Sequence, residues 1–219
     1  MTYIPQRNLD QRLRAALRGA KRVAVVGVGD ELNVHDRLGM LAAKEIEGLH
    51  LPQIRVFLAG TVPESVTAPI RRYRPQVILL VDAADLGARP GTVALVDPRE
   101  VHASLLSTHA LPLTVVMEYL EKDSRARVHL IGIQPDLRAQ GFSPAGPEQA
   151  GLTRLLVSIF QALGEPPEPA RLLGGRHAEA DDDRHGARGA HLGERAGLEV
   201  AHARAHDASP VAHERLGAR

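Results

Sequence analysis

The sequence predicts an α/β protein, a three-layer α/β/α sandwich around a five-stranded, mostly parallel sheet. Four segments are almost continuously apolar and rich in Val, Ile and Leu, which is typical of strands buried on both faces. Helical patterns lie between them, so strand and helix alternate along the chain. A fifth, shorter apolar run at 92–97 follows a Pro-Gly turn and predicts an edge strand.

The elements are predicted in order along the chain. The stretch from Asn8 to Gly19 predicts a capped helix with one apolar stripe. The four buried strands are predicted at 22–28, 53–59, 76–83 and 127–133, and further helices at 38–48, 62–73, 113–122 and 148–163.

The composition changes near Gly164. All six aromatic residues, and every Ile and Met, precede this point. The last 55 residues consist mostly of Ala, Gly, Arg, His and acids, and they begin with the helix-breaking run EPPEP. Such a segment cannot bury enough apolar surface to offset its ordering entropy. We therefore predict a folded domain at 1–164 and a disordered tail at 165–219.

Composition also excludes several classes of protein. The chain has no cysteine, which excludes a disulfide scaffold, a thiolate nucleophile and a cysteine-built metal site. A formal net charge of +1 gives no electrostatic reason to expect nucleic acid as a partner. The sequence contains neither an apolar run long enough to span a membrane nor the apolar segment of a secretory signal. We therefore expect a soluble, cytoplasmic protein that does not insert into a membrane.

Acidic residues and one histidine follow three of the predicted strands. They are Asp30, Asp36, Asp82, Asp85 and His109. Ligands of open α/β sheets bind outside the carboxyl ends of the parallel strands. Two carboxylates and an imidazole from separate loops could therefore converge on one divalent metal ion and leave coordination positions open. The alternative is structural, with Asp82 capping a turn and Asp36 capping a helix.

The pair Gly27 and Gly29 after the first strand also suggests a dinucleotide-binding loop. The complete fingerprint requires a third glycine, and Leu32 stands at that position. Asp30 and Glu31 would moreover face a pyrophosphate. This alternative is therefore weakly supported.

Four motifs together resemble the nickel–iron hydrogenase maturation endopeptidases. They are V-G-x₆-D-x₂-G at 28–39, R-P-x₂-(apolar)₃-V-D-A-x-D-x-G-x₂-P-G at 74–91, S-T-H-x-L-P-L at 107–113 and I-G-I-Q-P-D at 131–136. The last two are similar to the branch that serves formate-hydrogenlyase-type hydrogenases. The resemblance covers about residues 21–163 and leaves out the first helix and the tail.

The resemblance implies a fold, a metal site and an activity. The family fold is a three-layer sandwich with a five-stranded mixed sheet, one strand of which is antiparallel. The positions of the family's metal ligands correspond to Asp36, Asp82 and His109 in this chain. The resemblance implies that these residues bind nickel already inserted in the precursor of the hydrogenase large subunit. The endopeptidase then removes the C-terminal extension of that precursor. The residues present are consistent with water attack assisted by a metal or a carboxylate, with Asp36 as the candidate base.

Three residues depart from the family pattern. Asp30 stands where the family usually has Asn, Arg37 where it has Gly, and Ala59 where an acid is common. These departures motivate an alternative function, a non-catalytic maturation factor that binds the nickel-loaded large subunit and checks it.

Overall fold

The computed structural model describes residues 9–96, 112–141, 143–144 and 146–164. The chain divides into two units, Met1–Ala180 and Asp181–Arg219, and every described residue belongs to the first. The predicted tail and the predicted ligand His109 lie outside the described residues.

The described elements follow the predicted order, and most begin and end within two residues of the prediction. The helices are α1 (Leu9–Leu17), α2 (Leu38–Gly48), α3 (Thr67–Tyr73), α4 (Leu113–Ser124) and α5 (Gly146–Leu163). The strands are β1 (Val23–Val28), β2 (Ile54–Gly60), β3 (Val77–Ala83), β4 (Val93–Val96) and β5 (Arg127–Ile133).

The predicted helix at 62–73 is divided in two. A 3₁₀ turn at Pro63–Val66 precedes α3. Pro69 explains the division, because it has no N–H to donate to the carbonyl of Ser65 and its ring would clash with that carbonyl in a continuous α-helix. The prediction of one helix was therefore wrong in this region.

The five strands form one mixed sheet in the order β2-β1-β3-β5-β4. Strand β4 pairs antiparallel with β5, and every other pairing is parallel. The edge position of the short run at 92–97 is thereby confirmed. The carboxyl ends of β1, β2, β3 and β5 share one side of the sheet, which we call the carboxyl edge.

Two apolar cores cover the two faces of the sheet. The first packs α1, α2 and α5 against one face, and the second packs α3 and α4 against the other. Strand β3 contributes to both, with Val77, Leu79 and Val81 in the first core and Ile78 and Leu80 in the second. Both faces of this strand are buried, which explains its uninterrupted apolar sequence. The predicted three-layer α/β/α fold is confirmed.

No helix in the described part of the chain is long and apolar enough to cross a membrane.

Candidate acidic site

Asp36 and Asp82 lie at the carboxyl edge and are both almost completely buried. Their exposed fractions are 2% and 4%. Asp82 is the penultimate residue of β3 and lies opposite Gly132 of β5. Asp36 lies in the loop between β1 and α2, two residues before that helix begins. A buried carboxylate is costly unless its charge is compensated, so two of them at one edge of the sheet mark a candidate functional site.

Gly39 brings the start of α2 against the ends of β1 and β3. A β-carbon on Gly39 would lie only 2.3 Å from the carbonyl oxygens of Val28 and Val81, and 2.8 Å from the Cα of Asp82. No other residue type permits this approach without a shift of the backbone. Asp36 lies three residues before Gly39, in the loop that leads into this contact.

The loop between β1 and α2 closes on Asp36. The Asp36 carboxylate accepts a hydrogen bond from the backbone N–H of Asp30, at 3.0 Å. Gly29 permits this closure, because its φ is +122° and a β-carbon there would lie 1.9 Å from the Asp36 carbonyl oxygen. Asp36 therefore has a structural role in the loop, in addition to its position at the carboxyl edge.

Two other acids of the predicted set stabilise turns. An Asp85 carboxylate oxygen accepts a hydrogen bond from the N–H of Gly87 at 3.1 Å. An Asp30 oxygen likewise accepts from the N–H of Leu32 at 2.9 Å. Each is an aspartate bonded to the backbone two residues ahead, which is a common turn motif. Asp30 and Asp85 therefore have structural roles in turns. The structural alternative for Asp36 was a helix cap, but the N-cap residue of α2 is Arg37 and no side-chain cap hydrogen bond is formed there.

Arg37 is buried next to Asp36, with an exposed side-chain fraction of 2%. Its guanidinium donates hydrogen bonds to the carbonyl oxygens of Gly141 at 3.1 Å and Ser143 at 2.9 Å. It also lies 4.0 Å from the carboxylate of Glu148, whose side chain is completely buried. This contact was not predicted, because more than 100 residues separate the partners in sequence and the composition of 137–148 gives no indication of it.

Gln134 supports the loop that follows β3. Its buried side-chain oxygen accepts hydrogen bonds from the backbone N–H groups of Leu86 at 2.7 Å and Ala88 at 3.3 Å. Its amide nitrogen donates to the carbonyl of Pro135 at 3.2 Å. The sequence motif at 131–136 contains Gln134, and the structure gives this residue a role in holding the segment next to Asp82.

The buried charges of the described residues carry an acidic excess. The buried charged side chains there are those of Asp36, Asp82, Glu148 and Arg37. These are three acids and one base. Carboxylates are suitable ligands for a divalent ion. The described residues contain no group of three potential metal ligands, and the predicted third ligand, His109, lies outside them.

The described residues form an α/β/α sandwich with two buried acids at the carboxyl edge of its sheet. Solved structures with a similar fold include two from named proteases. The crystal structure of a [NiFe] hydrogenase maturation protease HycI from Thermococcus kodakarensis KOD1 has a TM-score of 0.61 and 28% identity, covering 70% of this chain and 99% of that one. The solution structure of an endopeptidase HycI from Escherichia coli has a TM-score of 0.56 and 27% identity, covering 66% and 92%.

Sequence comparison identifies the family. A family model described as hydrogenase maturation protease matches residues 40–145. The hydrogenase 3 maturation protease of Escherichia coli K12 is 32% identical over 111 residues, which cover 50% of this chain and 70% of that protein. A putative hydrogenase maturation protease, MJ0631 of Methanocaldococcus jannaschii, is 28% identical over 137 residues, covering 59% and 81%. The chain belongs to the hydrogenase maturation protease family.

Membership of this family confirms the resemblance that the sequence motifs predicted. It favours a protease over the alternative of a non-catalytic maturation factor.

Proposed function

We propose that this chain is an endopeptidase that removes the C-terminal extension of a nickel–iron hydrogenase large-subunit precursor after nickel has been inserted. The observation that carries the proposal is that two buried carboxylates, Asp36 and Asp82, lie at the carboxyl edge, where Gly39 packs the start of α2 against the end of β3. The family to which the chain belongs supports the reaction type. We place the reaction in the cytoplasm, the compartment that the sequence predicts.

Nickel enters this reaction as part of the substrate. Asp36, Asp82 and, from the sequence, His109 would bind the nickel that the precursor carries. Two carboxylates and one imidazole leave much of a nickel coordination shell open, so ligands from the precursor can remain bound at the same time. Recognition of the metal would thereby restrict cleavage to precursors that have already received nickel.

The chemical step is hydrolysis of one peptide bond. A water molecule attacks the carbonyl carbon, and its proton passes to a base, for which Asp36 is our candidate. The carbon–nitrogen bond then breaks, and the departing amine nitrogen takes up a proton. The products are a shortened large subunit with a new carboxylate and a released peptide with a new amino terminus. We propose carboxylate assistance, aided by the precursor's metal, as the catalytic type.

The test is incubation of the purified full chain with nickel-loaded precursor, followed by mass spectrometry of the precursor. We expect its mass to fall by that of a C-terminal peptide. The substitutions Asp36→Asn and Asp82→Asn should each lower the processing rate at least about a hundredfold, because each removes one of the two carboxylates. An unchanged precursor mass with verified nickel loading would refute the proposal.

Asp85→Asn is the matched control. Asp85 lies three residues after Asp82, and its side chain bonds to the N–H of Gly87, an interaction that an asparagine oxygen can also make. We expect this variant to process the precursor at close to the wild-type rate. An equal loss in Asp82→Asn and Asp85→Asn would mean that the loop's general charge matters and that Asp82 has no individual role.

A further inference from the structure

The side chain of Arg37 connects two parts of the chain that meet at the carboxyl edge. Arg37 follows Asp36 directly, and its two terminal nitrogens donate to the carbonyls of Gly141 and Ser143. These carbonyls belong to the stretch between β5 and α5, which we call the β5–α5 segment (residues 134–141, 143 and 144). Because β5 is parallel to β1 and β3, this segment leaves the sheet at the edge that carries Asp36 and Asp82.

Glu148 completes this connection from the first turn of α5. One of its carboxylate oxygens accepts a hydrogen bond from the backbone N–H of Asp136 at 2.8 Å, and the other lies 4.0 Å from the Arg37 guanidinium. The Arg37–Glu148 pair therefore holds the β5–α5 segment near both of its ends. Removing one member of a buried pair is destabilising, because the remaining buried charge loses one of the groups that stabilise it.

The hydrogen bonds to Gly141 and Ser143 require the two terminal nitrogens of a guanidinium group. Two donors in one plane reach two carbonyl oxygens that lie two residues apart, and a single ammonium group does not reproduce that geometry. Gly141 and Ser143 are themselves exposed, so the segment has solvent on its outer side and the buried guanidinium on its inner side. Most of the described residues of this segment are exposed or partly exposed, so these hydrogen bonds contribute to its position.

We propose that Arg37 is a positioning residue that fixes the β5–α5 segment as a wall of the precursor-binding cleft beside Asp36 and Asp82. This inference rests on the proposed function, because the cleft is defined by the precursor that it binds. Arg37 acts through the backbone of the segment. Its loss should therefore weaken precursor binding far more than it slows the chemical step on bound precursor.

The test compares the full-length wild type with Arg37→Met, Arg37→Lys and the double variant Arg37→Met/Glu148→Gln. The double variant removes both charges, and the glutamine oxygen can still accept from the N–H of Asp136, so it should keep the fold. Hydrogen exchange measures the order of the β5–α5 segment, and processing of nickel-loaded precursor gives KM and kcat separately. Arg71→Met is the control, since Arg71 is an exposed arginine paired with Asp123.

We expect the double variant to melt near the wild-type temperature, to exchange faster in the β5–α5 segment and to raise KM about tenfold, with kcat changed less than about threefold. Arg37→Lys should recover only part of the loss, and Arg71→Met should behave like the wild type. Unchanged exchange and KM in the double variant would overturn the inference, as would a fall in kcat at unchanged KM. If the wild type processes no precursor, the proposed function fails, while hydrogen exchange still decides whether Arg37 orders the segment.

Discussion

Gly39 and Asp82 approach so closely that a β-carbon on Gly39 would lie 2.8 Å from the Cα of Asp82. This contact joins the first turn of α2 to the end of β3. The packing of α2 against the strand that carries Asp82 therefore depends on the absence of a single methyl group.

Gly39→Ala should force α2 away from β1 and β3, because two carbonyl oxygens lie 2.3 Å from the added carbon. We expect a loss of stability of about 1–3 kcal/mol, as for other overpacked interiors, together with a large loss of precursor processing. Gly48→Ala is the control, since nothing lies within 4 Å of a β-carbon there and the change should be neutral or stabilising. Urea unfolding measures the stability of both variants, and mass spectrometry of the precursor measures processing. Equal stability of the two variants would contradict the close packing at Gly39.

Gln134→Leu should destabilise the loop after β3. The substitution leaves the N–H groups of Leu86 and Ala88 without the oxygen that now accepts from both. A fully buried donor without an acceptor costs about 1–3 kcal/mol, and these two hydrogen bonds are only partly buried, so we expect a loss of about 1–2 kcal/mol in all. Gln149→Leu is the control, because Gln149 is partly exposed and its side-chain amide donates a hydrogen bond to Glu45. A change below 0.5 kcal/mol for Gln134→Leu, on the order of an ordinary surface substitution, would argue against this role.

The isolated protein should bind free Ni²⁺ weakly. Two carboxylates and one imidazole contain no thiolate and must compete with water for the ion. Nickel already held in the precursor should be recognised much better, because protein–protein contacts add to the metal contacts. Calorimetric titration with Ni²⁺ and pull-down of precursor with and without nickel test this prediction. Equal capture of nickel-free precursor would disprove recognition of the metal.

A chain that ends at Gly164 should fold and process precursor like the full chain. The buried residues of the described part reach no further than Phe160. A chain that ends at Ser158 is the control, since it loses Ile159 and Phe160, both almost completely buried in the first core. We expect the shorter chain to unfold. Loss of precursor binding on truncation at Gly164 would instead assign a function to residues 165–219.

Stability should fall as the pH falls below about 6.5, in part because of His129. Burial lowers the pKa of His129 below the ordinary value of 6.5, and the positive charges of Arg127 and Arg12 lower it further. At a pH between the folded and unfolded pKa values, the unfolded chain binds a proton at His129 that the folded chain does not. The contribution of neutral His129 to the free energy of unfolding is therefore complete above pH 6.5 and is lost as the pH falls below it. His129→Gln should reduce the change in unfolding free energy between pH 8 and pH 5.5.

Replacement of the exposed His50 by Asn serves as the control for this measurement. The change in unfolding free energy between pH 8 and pH 5.5 should be the same in this variant as in the wild type. An undiminished difference in His129→Gln would show that other groups cause the pH dependence.

The sequence by itself determined the fold class, the order of the elements and two buried members of the candidate site. Strands buried on both faces are apolar along most of their length, so β1 and β3 are visible in the sequence as nearly uninterrupted runs. An acid at the end of such a run, Asp82, stands out because the preceding residues are all apolar. Asp36 could be selected because acids in the loop after a parallel strand reach the carboxyl edge.

Only the tertiary structure decided how these acids are held. The Arg37–Glu148 pair and the hydrogen bonds of Gln134 join residues that are far apart in sequence, and local patterns carry no information about such contacts. The tertiary structure also decided that Asp36 and Asp82 are buried, whereas Asp30 and Asp85 bond to their own turns. All four are acids in loops or at strand ends, and only packing against the neighbouring elements determines which carboxylates become buried and which bond to their own turns.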